Sequence, residues 1–223
     1  MRLSIIIPVL NEVAHLPEVL ERLAPLRERG AQVIVVDGGS TDGTAQLARD
    51  GVEWVDSVPG RARQMNAGAA RARGQVLLFL HADTRLPDLA DQQVAAALAV
   101  GPRVWGRFDV RIAGRPWMLR VVAFMMNRRS RMSGIATGDQ AIFVRRDSFE
   151  ALGGFTDQPL MEDIELCMRL RRLSSPACLA GPAITSGRRW EARGVWPTIF
   201  LMWRLRWAYW RGVPVDRIAE AYR

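Results

Sequence analysis

Three continuous apolar runs near the start of the chain constrain the fold more than any other feature. They are Leu3–Val9 (LSIIIPV), Gln32–Asp37 (QVIVVD) and Gln75–Leu80 (QVLLFL). Runs of this length without polar alternation are typical of strands buried on both faces, as in a parallel sheet. Helical patterns at residues 12–29, 42–50, 60–73 and 87–99 alternate with these runs, and Val52–Val55 is predicted to be a further short strand.

This alternation predicts an α/β fold, with a Rossmann-type, mostly parallel sheet flanked by helices on both faces. The second half is less regular. It is predicted to contain strands at Val104–Ile112 and Gln140–Val144, followed by a helical C-terminal segment at 195–211. Further helices are expected at 116–127, 147–152 and 161–173. No linker or repeat is visible, so residues 1–223 are predicted to form one domain.

The charge is distributed unevenly along the chain. The formal net charge is +8, and every basic residue is arginine. Residues 1–100 carry 10 arginines and 12 acidic residues, whereas residues 101–223 carry 21 arginines and 11 acidic residues. A basic half of this kind favours an anionic neighbour, which could be nucleic acid, a lipid headgroup surface or a phosphorylated substrate.

Cysteine usage and the lack of a visible targeting signal predict a cytoplasmic location. Cys167 and Cys178 lack metal-ligand spacing and are interpreted as lone thiols in a reducing compartment. We see no signal peptide, and no apolar segment reaches the roughly 20 residues of a membrane span.

Polar residues follow three of the predicted strands, where ligands of open α/β sheets bind. They form the segments Pro8–Glu12, Asp37–Asp42 and His81–Asp83. His81 and Asp83 alternate along an extended segment and therefore face the same way, which suits Mn²⁺ or Mg²⁺. The same residues could instead cap the following helix. Asp37 could likewise be a cap, but we favour a ligand contact because Ser40 or Thr41 could cap that turn.

The pattern of motifs along the chain resembles glycosyltransferase family 2, whose members have the GT-A fold. The segments that carry the resemblance stand in the family's order: SIIIPVLNE, VIVVDGGSTDGT, RQMNAGAARARG, LFLHADT, ATGDQAIFVRR with GGF, PLMEDIEL and SGRRW. Two positions depart from the family's pattern. His81 replaces the first aspartate of D-x-D, and Ser186 replaces the glutamine of Q-x-x-R-W. The short length and the HADT and RRW segments look most like a bacterial subgroup associated with arsenosugar biosynthesis.

The resemblance implies metal-dependent, inverting transfer of a sugar from a UDP- or GDP-sugar to an acceptor hydroxyl. Asp163 would be the general base, Arg189 would act on the leaving diphosphate, and Asp83 would hold Mn²⁺ or Mg²⁺. Residues 1–100 would be the nucleotide-binding half and residues 101–223 the acceptor-side half. The nucleotide-sugar site would comprise Pro8, Glu12, Asp37, Arg63, His81, Ala82, Asp83 and Trp190.

Two aromatic, arginine-containing segments are compatible with more than one kind of binding partner. Residues 195–211 and 116–132 could lie in a membrane interface at the inner face of the cell membrane, or receive a lipid-linked acceptor. Alternatively they could form core and a homodimer face, which is the interpretation we favour for 195–211, whereas both stay open for 116–132. The sequence leaves two alternative functions open, a sugar-phosphate nucleotidyltransferase and a basic nucleic-acid-binding module. The acidic clusters argue against nucleic acid as a partner.

Overall fold

A computed structural model of the chain describes residues 1–47 and 51–222. The strands of this part are β1 Leu3–Val9, β2 Gln32–Asp37, β3 Glu53–Asp56, β4 Val76–Phe79, β5 Thr84–Arg85, β6 Trp105–Ala113, β7 Phe143–Arg145 and β8 Ala177–Ser186. The α-helices are α1 Leu16–Arg22, α2 Ala24–Glu28, α3 Arg61–Arg71, α4 Ala90–Ala99, α5 Met118–Ser133, α6 Arg146–Ala151, α7 Glu162–Leu170, α8 Arg188–Arg193, α9 Val195–Trp210 and α10 Val215–Tyr222. Short 3₁₀ helices lie at Thr44–Leu47 and Gly138–Gln140.

The strands form one sheet in the order β3-β2-β1-β4-β7-β6-β8-β5. The first four strands in this order are parallel, so their carboxyl ends share one edge. Strand β7 is antiparallel to β4 and to β6, and β6 is parallel to β8. The expected α/β fold with a mostly parallel sheet flanked by helices is confirmed.

Close packing of α3 on the sheet holds the carboxyl edge together. A Cβ atom at Gly68 would lie 2.5 Å from Cγ2 of Ile6 and 2.8 Å from Cγ2 of Val36, so only glycine permits this approach. The buried amide of Gln64 donates hydrogen bonds to the carbonyls of Val9, at 2.7 Å, and Val36, at 2.9 Å. Helix α3 thus joins the ends of β1 and β2, beyond which the polar segments begin.

Several predicted elements differ in extent from those observed. The helix predicted at 12–29 is two helices, because Pro25 in the first turn of α2 has no N–H to continue α1. At 42–50 the structure has the 3₁₀ helix Thr44–Leu47, and residues 48–50 lie outside the described residues. Helix α5 continues to Ser133, beyond the predicted end at 127.

Strand β8 was not predicted. Its pairing with β6 shifts register between Phe108 and Asp109, so that Leu179 and Pro182 occupy successive pairing positions. A bulge that contains glycine and proline interrupts the alternation by which strands are recognised. Helices α8 and α10 were also missed. No helix in residues 1–47 and 51–222 has the combined length and apolarity needed to cross a bilayer.

Candidate active site

A cavity of about 1090 Å³ lies beyond the carboxyl ends of β1 and β4. Pro8 and Ala82 form part of its wall on the sheet side, and residues of α5, α7 and α9 line it elsewhere. Its lining includes charged residues as well as methionine and tryptophan side chains. A smaller pocket of about 480 Å³, lined by residues such as Arg2, Gly30 and Arg73, contains none of the predicted site residues.

Two carboxylates of the cavity share one arginine. An Nη2 atom of Arg188 lies 3.6 Å from Oδ2 of Asp83 and 3.9 Å from Oε2 of Glu12. Burial raises the pKa of Glu12, with Asp83 adding to the rise, whereas the charge of Arg188 lowers it. Negative charge is therefore concentrated beyond the ends of β1 and β4, and the guanidinium of Arg188 offsets part of it.

His81 contacts a second loop that sequence reasoning did not assign to the site. Its Nδ1 atom lies 3.4 Å from Oδ1 of Asp139, within the 3₁₀ helix Gly138–Gln140. Burial alone would raise the pKa of Asp139, but His81, Arg61 and Arg189 outweigh it and the net pKa is lowered. A Cβ at Gly138 would lie 2.2 Å from Nε2 of His81, so glycine is required for this contact.

Asp163 lies in the first turn of α7 and lines the same cavity. Met161, with a left-handed φ of +66°, turns the chain into this helix. Oδ2 of Asp163 accepts a 2.9 Å hydrogen bond from the N–H of Gly138. Burial, with the charge of Glu162, raises the pKa of Asp163 to about 6, although the hydrogen bonds and Arg61 oppose the rise. Such a carboxyl is suited to accepting a proton near neutral pH.

Five arginines line the cavity: Arg61, Arg129, Arg188, Arg189 and Arg206. Arg61 Nη1 lies 3.7 Å from Oε1 of the buried Glu162. The guanidinium of Arg189 lies 4.5 Å from the ring centroid of Tyr222, and burial followed by Arg61 lowers its pKa. An anion bound beside Arg189 would offset the repulsion from the neighbouring guanidinium of Arg61.

Arg129 comes from α5. Its Nε and Nη2 atoms are buried and have no hydrogen-bond partner within residues 1–47 and 51–222. Burial lowers the pKa of Arg129, while the charge of Asp163 opposes this. A buried guanidinium without a full set of acceptors is costly, which favours an anionic ligand at this wall of the cavity.

Eight predicted site residues line this one cavity: Pro8, Glu12, His81, Ala82, Asp83, Asp163, Arg189 and Trp190. Trp190 also packs against the apolar cluster around Val110 and Leu119. Asp37 and Arg63, which are also predicted site residues, are not among the residues that line the cavity. Arg63 instead pairs with Asp157 through Nε at 2.8 Å, because Arg61 and Arg63 point in different directions from α3.

Asp37 ends β2 beside Val9 of β1, at the same edge of the sheet as the cavity. Its Oδ1 accepts hydrogen bonds from the N–H and the hydroxyl of Ser40, at 3.0 and 2.6 Å. The side chain therefore has the capping role, which the sequence offers as the alternative to a ligand contact. Its Oδ2 has no hydrogen bond from the residues that the structure describes, so a ligand contact stays open.

Residues 4–153 match the family described as Glycosyl transferase family 2. The chain belongs to this family. It is 26% identical over 237 residues to the Bacillus subtilis protein "Probable glycosyltransferase YdaM". The alignment covers 95% of this chain and 55% of that protein. The match thus spans little more than half the length of that curated relative.

Two solved structures show the same fold. TarS 1-349 of S. aureus in complex with UDP superimposes with a TM-score of 0.67 at 19% identity, covering 83% of this chain and 60% of that one. The mannosyltransferase PcManGT from Pyrobaculum calidifontis, in complex with GDP-Man and Mn²⁺, gives 0.63 at 23% identity, covering 93% and 61%. The GT-A-like architecture expected for a family 2 chain is therefore confirmed. The arsenosugar subgroup stays a prediction.

Proposed function

We propose that this chain transfers a sugar from a nucleoside-diphosphate sugar to an acceptor hydroxyl with inversion at the anomeric carbon. The observation that carries the proposal is the joint presence of Asp83, Asp163 and several arginines in one cavity at the sheet edge. The family 2 match supports glycosyl transfer rather than nucleotidyl transfer. Residues 1–100 would bind the donor and residues 101–223 would form the acceptor side.

The donor diphosphate would lie among Arg61, Arg188 and Arg189. These guanidiniums can neutralise the charge that develops on the leaving oxygen as the glycosidic bond breaks. Oδ2 of Asp37, which accepts no hydrogen bond from the described residues, would contact the nucleoside at the adjoining strand end. In two GT-A structures the bound ligands are UDP and GDP-Man, which supports a UDP- or GDP-sugar as donor here.

The residues near Asp83 fit a divalent cation that enters with the diphosphate. Asp83 and Glu12 carry carboxylate oxygens, which Mn²⁺ and Mg²⁺ prefer as ligands, and Asp83 would hold the cation. The two carboxylates already share the positive charge of Arg188. Within the described ranges no three His, Cys, Asp or Glu residues form a ready metal cluster, so phosphate oxygens would complete the coordination. A bound cation would offset charge on the leaving diphosphate.

Asp163 would act as the general base. Its carboxylate accepts the proton of the acceptor hydroxyl while the hydroxyl oxygen forms a bond to the anomeric carbon. The bond from that carbon to the diphosphate oxygen breaks, and the nucleoside diphosphate leaves. A single displacement of this kind inverts the anomeric configuration and needs one base and no protein nucleophile.

A thermal-shift panel tests donor binding. UDP, GDP, TDP and CDP are each added with and without Mn²⁺, and at least one should raise the melting temperature more when the metal is present. A panel in which no nucleotide stabilises the protein would overturn the proposal. If a nucleotide stabilises the protein equally well without metal, the proposed glycosyl transfer stands and the proposed metal dependence is wrong.

A further inference from the structure

Helix α9 exposes a continuous stripe of aromatic side chains. Its members are Trp196, Phe200, Trp203, Trp207 and Trp210. Their spacing of four, three, four and three residues places them along one face of the helix. Each is between 59% and 80% exposed. Single exposed apolar residues are ordinary, but a row of five aromatic rings indicates an interaction surface.

Helix α5 and its N-cap expose a second apolar stripe at the same cavity. It consists of Trp117, Val121, Phe124 and Met125, which are 40% to 72% exposed. Val121 and Met125 also line the cavity, as do Trp196 and Trp203. The exposed apolar surface therefore continues into the cavity that holds Asp163. We call the two stripes together the aromatic face.

The charges on these two helices are of one sign. Residues 118–133 contain four arginines and residues 195–210 contain two, with no acidic residue in either range. Arg120, Arg128 and Arg204 are exposed, and none has an ion pair within the described residues. Aromatic rings with flanking arginines suit an anionic lipid surface, where the rings enter the interface and the guanidiniums meet phosphates.

A second copy of this chain fits the aromatic face less well. A symmetric dimer through this face would bring the same arginine-bearing helices together without acidic residues of their own to pair with them. Like charges brought together across an interface are unfavourable. An anionic bilayer supplies the missing charge and the apolar medium together.

We propose that the aromatic face docks this protein on an anionic lipid bilayer and turns the mouth of the cavity toward the lipid. The acceptor is then an amphiphile, a conclusion that rests on the proposed glycosyl transfer. Its hydroxyl-bearing headgroup would reach Asp163 while its hydrocarbon chain stays against the methionine and tryptophan side chains of α5 and α9. The buried, incompletely hydrogen-bonded guanidinium of Arg129 would meet an anionic group on that headgroup.

Vesicle co-sedimentation of the full chain tests the docking. The vesicles contain either phosphatidylcholine alone or equal parts of phosphatidylcholine and phosphatidylglycerol. Wild-type protein should sediment with the anionic vesicles, and added salt should weaken the binding because it screens the arginine–phosphate attraction.

Two paired variants separate the aromatic from the electrostatic contribution. Trp207→Ser with Trp210→Ser removes two exposed rings that do not line the cavity, and should weaken partitioning at least about tenfold. Arg120→Gln with Arg204→Gln should weaken binding about fivefold per arginine and flatten its salt dependence. The matched control is Arg103→Gln with Arg172→Gln, two exposed arginines outside both helices, which should bind like wild type.

The proposal is overturned if wild-type protein ignores anionic vesicles or if the tryptophan pair binds them as well as wild type. Light scattering adds a third outcome. A wild-type dimer that the tryptophan pair converts to a monomer, with no vesicle binding by either, would make this face an interface between copies. Thermal shifts by nucleotides are measured on the same samples. They persist in all these cases if the proposed glycosyl transfer is right, so the two failures are distinguishable.

Discussion

The backbone N–H of Gly138 donates a 2.9 Å hydrogen bond to Oδ2 of Asp163. This bond joins the loop before β7 to the first turn of α7, and the same loop carries Asp139 against His81. The proposed base is thus positioned by a segment that also contacts His81, which follows β4. Chemistry at Asp163 and geometry at His81 are therefore expected to respond together.

Replacement of Asp163 by asparagine should remove catalysis and spare donor binding. Asparagine can still accept the hydrogen bond from Gly138 but cannot take a proton, and loss of a general base costs about 10²–10⁴-fold in rate. Steady-state transfer and nucleotide thermal shifts measure the two properties separately. Glu165→Gln is the matched control, because Glu165 pairs with Arg169 and does not line the cavity. If the Asp163→Asn variant transfers sugar at the normal rate, the assignment of Asp163 as the general base is wrong.

The pH dependence of transfer should show an acidic limb near pH 6. The pKa of Asp163 is raised to about 6, so protonation of its carboxylate below that pH removes the base. Glu162 contributes to the rise, and the limb therefore belongs to the pair. Rates measured from pH 4 to 9 should fall about tenfold per pH unit below the limb. A rate that stays constant down to pH 4 would contradict a base with this pKa.

The same raised pKa should destabilise the fold at neutral pH. A carboxyl whose folded pKa exceeds its unfolded value contributes stability below the unfolded pKa, and this contribution is lost as pH rises through about 6. Asp163→Asn should therefore increase the free energy of unfolding at pH 8 by at most about 3 kcal/mol, with the gain disappearing near pH 4. Urea denaturation at both pH values measures it. An equal effect at the two pH values would show that the charge is not responsible.

The parts of the fold that could be predicted are those where burial leaves a local pattern. Strands β1, β2 and β4 are covered on both faces, so each reads as a continuous apolar run. Strand β8 could not be found in this way, because Gly181 and Pro182 at its bulge break the pattern. Prediction therefore recovered the elements of residues 1–100 better than those of residues 101–223.

The site was recoverable where a residue directly follows a strand, as Asp83 does. It was not recoverable where contact depends on how distant segments pack. Arg188 meets Glu12 and Asp83 only because α8 follows β8 at the cavity. That Arg61 lines the cavity instead of the predicted Arg63 depends on the rotation of α3, which the sequence leaves open. Asp139 stood within the quoted ATGDQ segment, and its acidic side chain was the signal that could have identified it.

Removal of the Asp83 carboxylate should abolish the metal dependence of nucleotide binding. Asp83→Asn keeps the size of the side chain. It removes one of the two carboxylates that pair with Arg188 and leaves the pair with Glu12 in place. The increment that Mn²⁺ adds to the nucleotide thermal shift should disappear, as for a metal affinity lowered at least about tenfold. Asp147→Asn, an exposed aspartate at the start of α6, is the control and should keep the full increment. An undiminished Mn²⁺ effect in Asp83→Asn would place the metal elsewhere.

A methyl group at Gly138 should displace His81. The added Cβ would lie 2.2 Å from Nε2 and 2.4 Å from Cε1 of the imidazole, so the ring must move away from Asp139. Overpacking of this kind costs about 1–3 kcal/mol of stability and should also reduce transfer, since Gly138 holds Asp163.

The second substitution His81→Ala distinguishes this clash from a general backbone defect. Removing the ring opens the space that the methyl group needs, so the double variant should be more stable than Gly138→Ala with His81 in place. Unfolding free energies of the four proteins give the coupling between the two positions. A coupling near zero would mean that Gly138→Ala acts through the backbone rather than through His81, and the close contact between the loop and the imidazole would then have no energetic role.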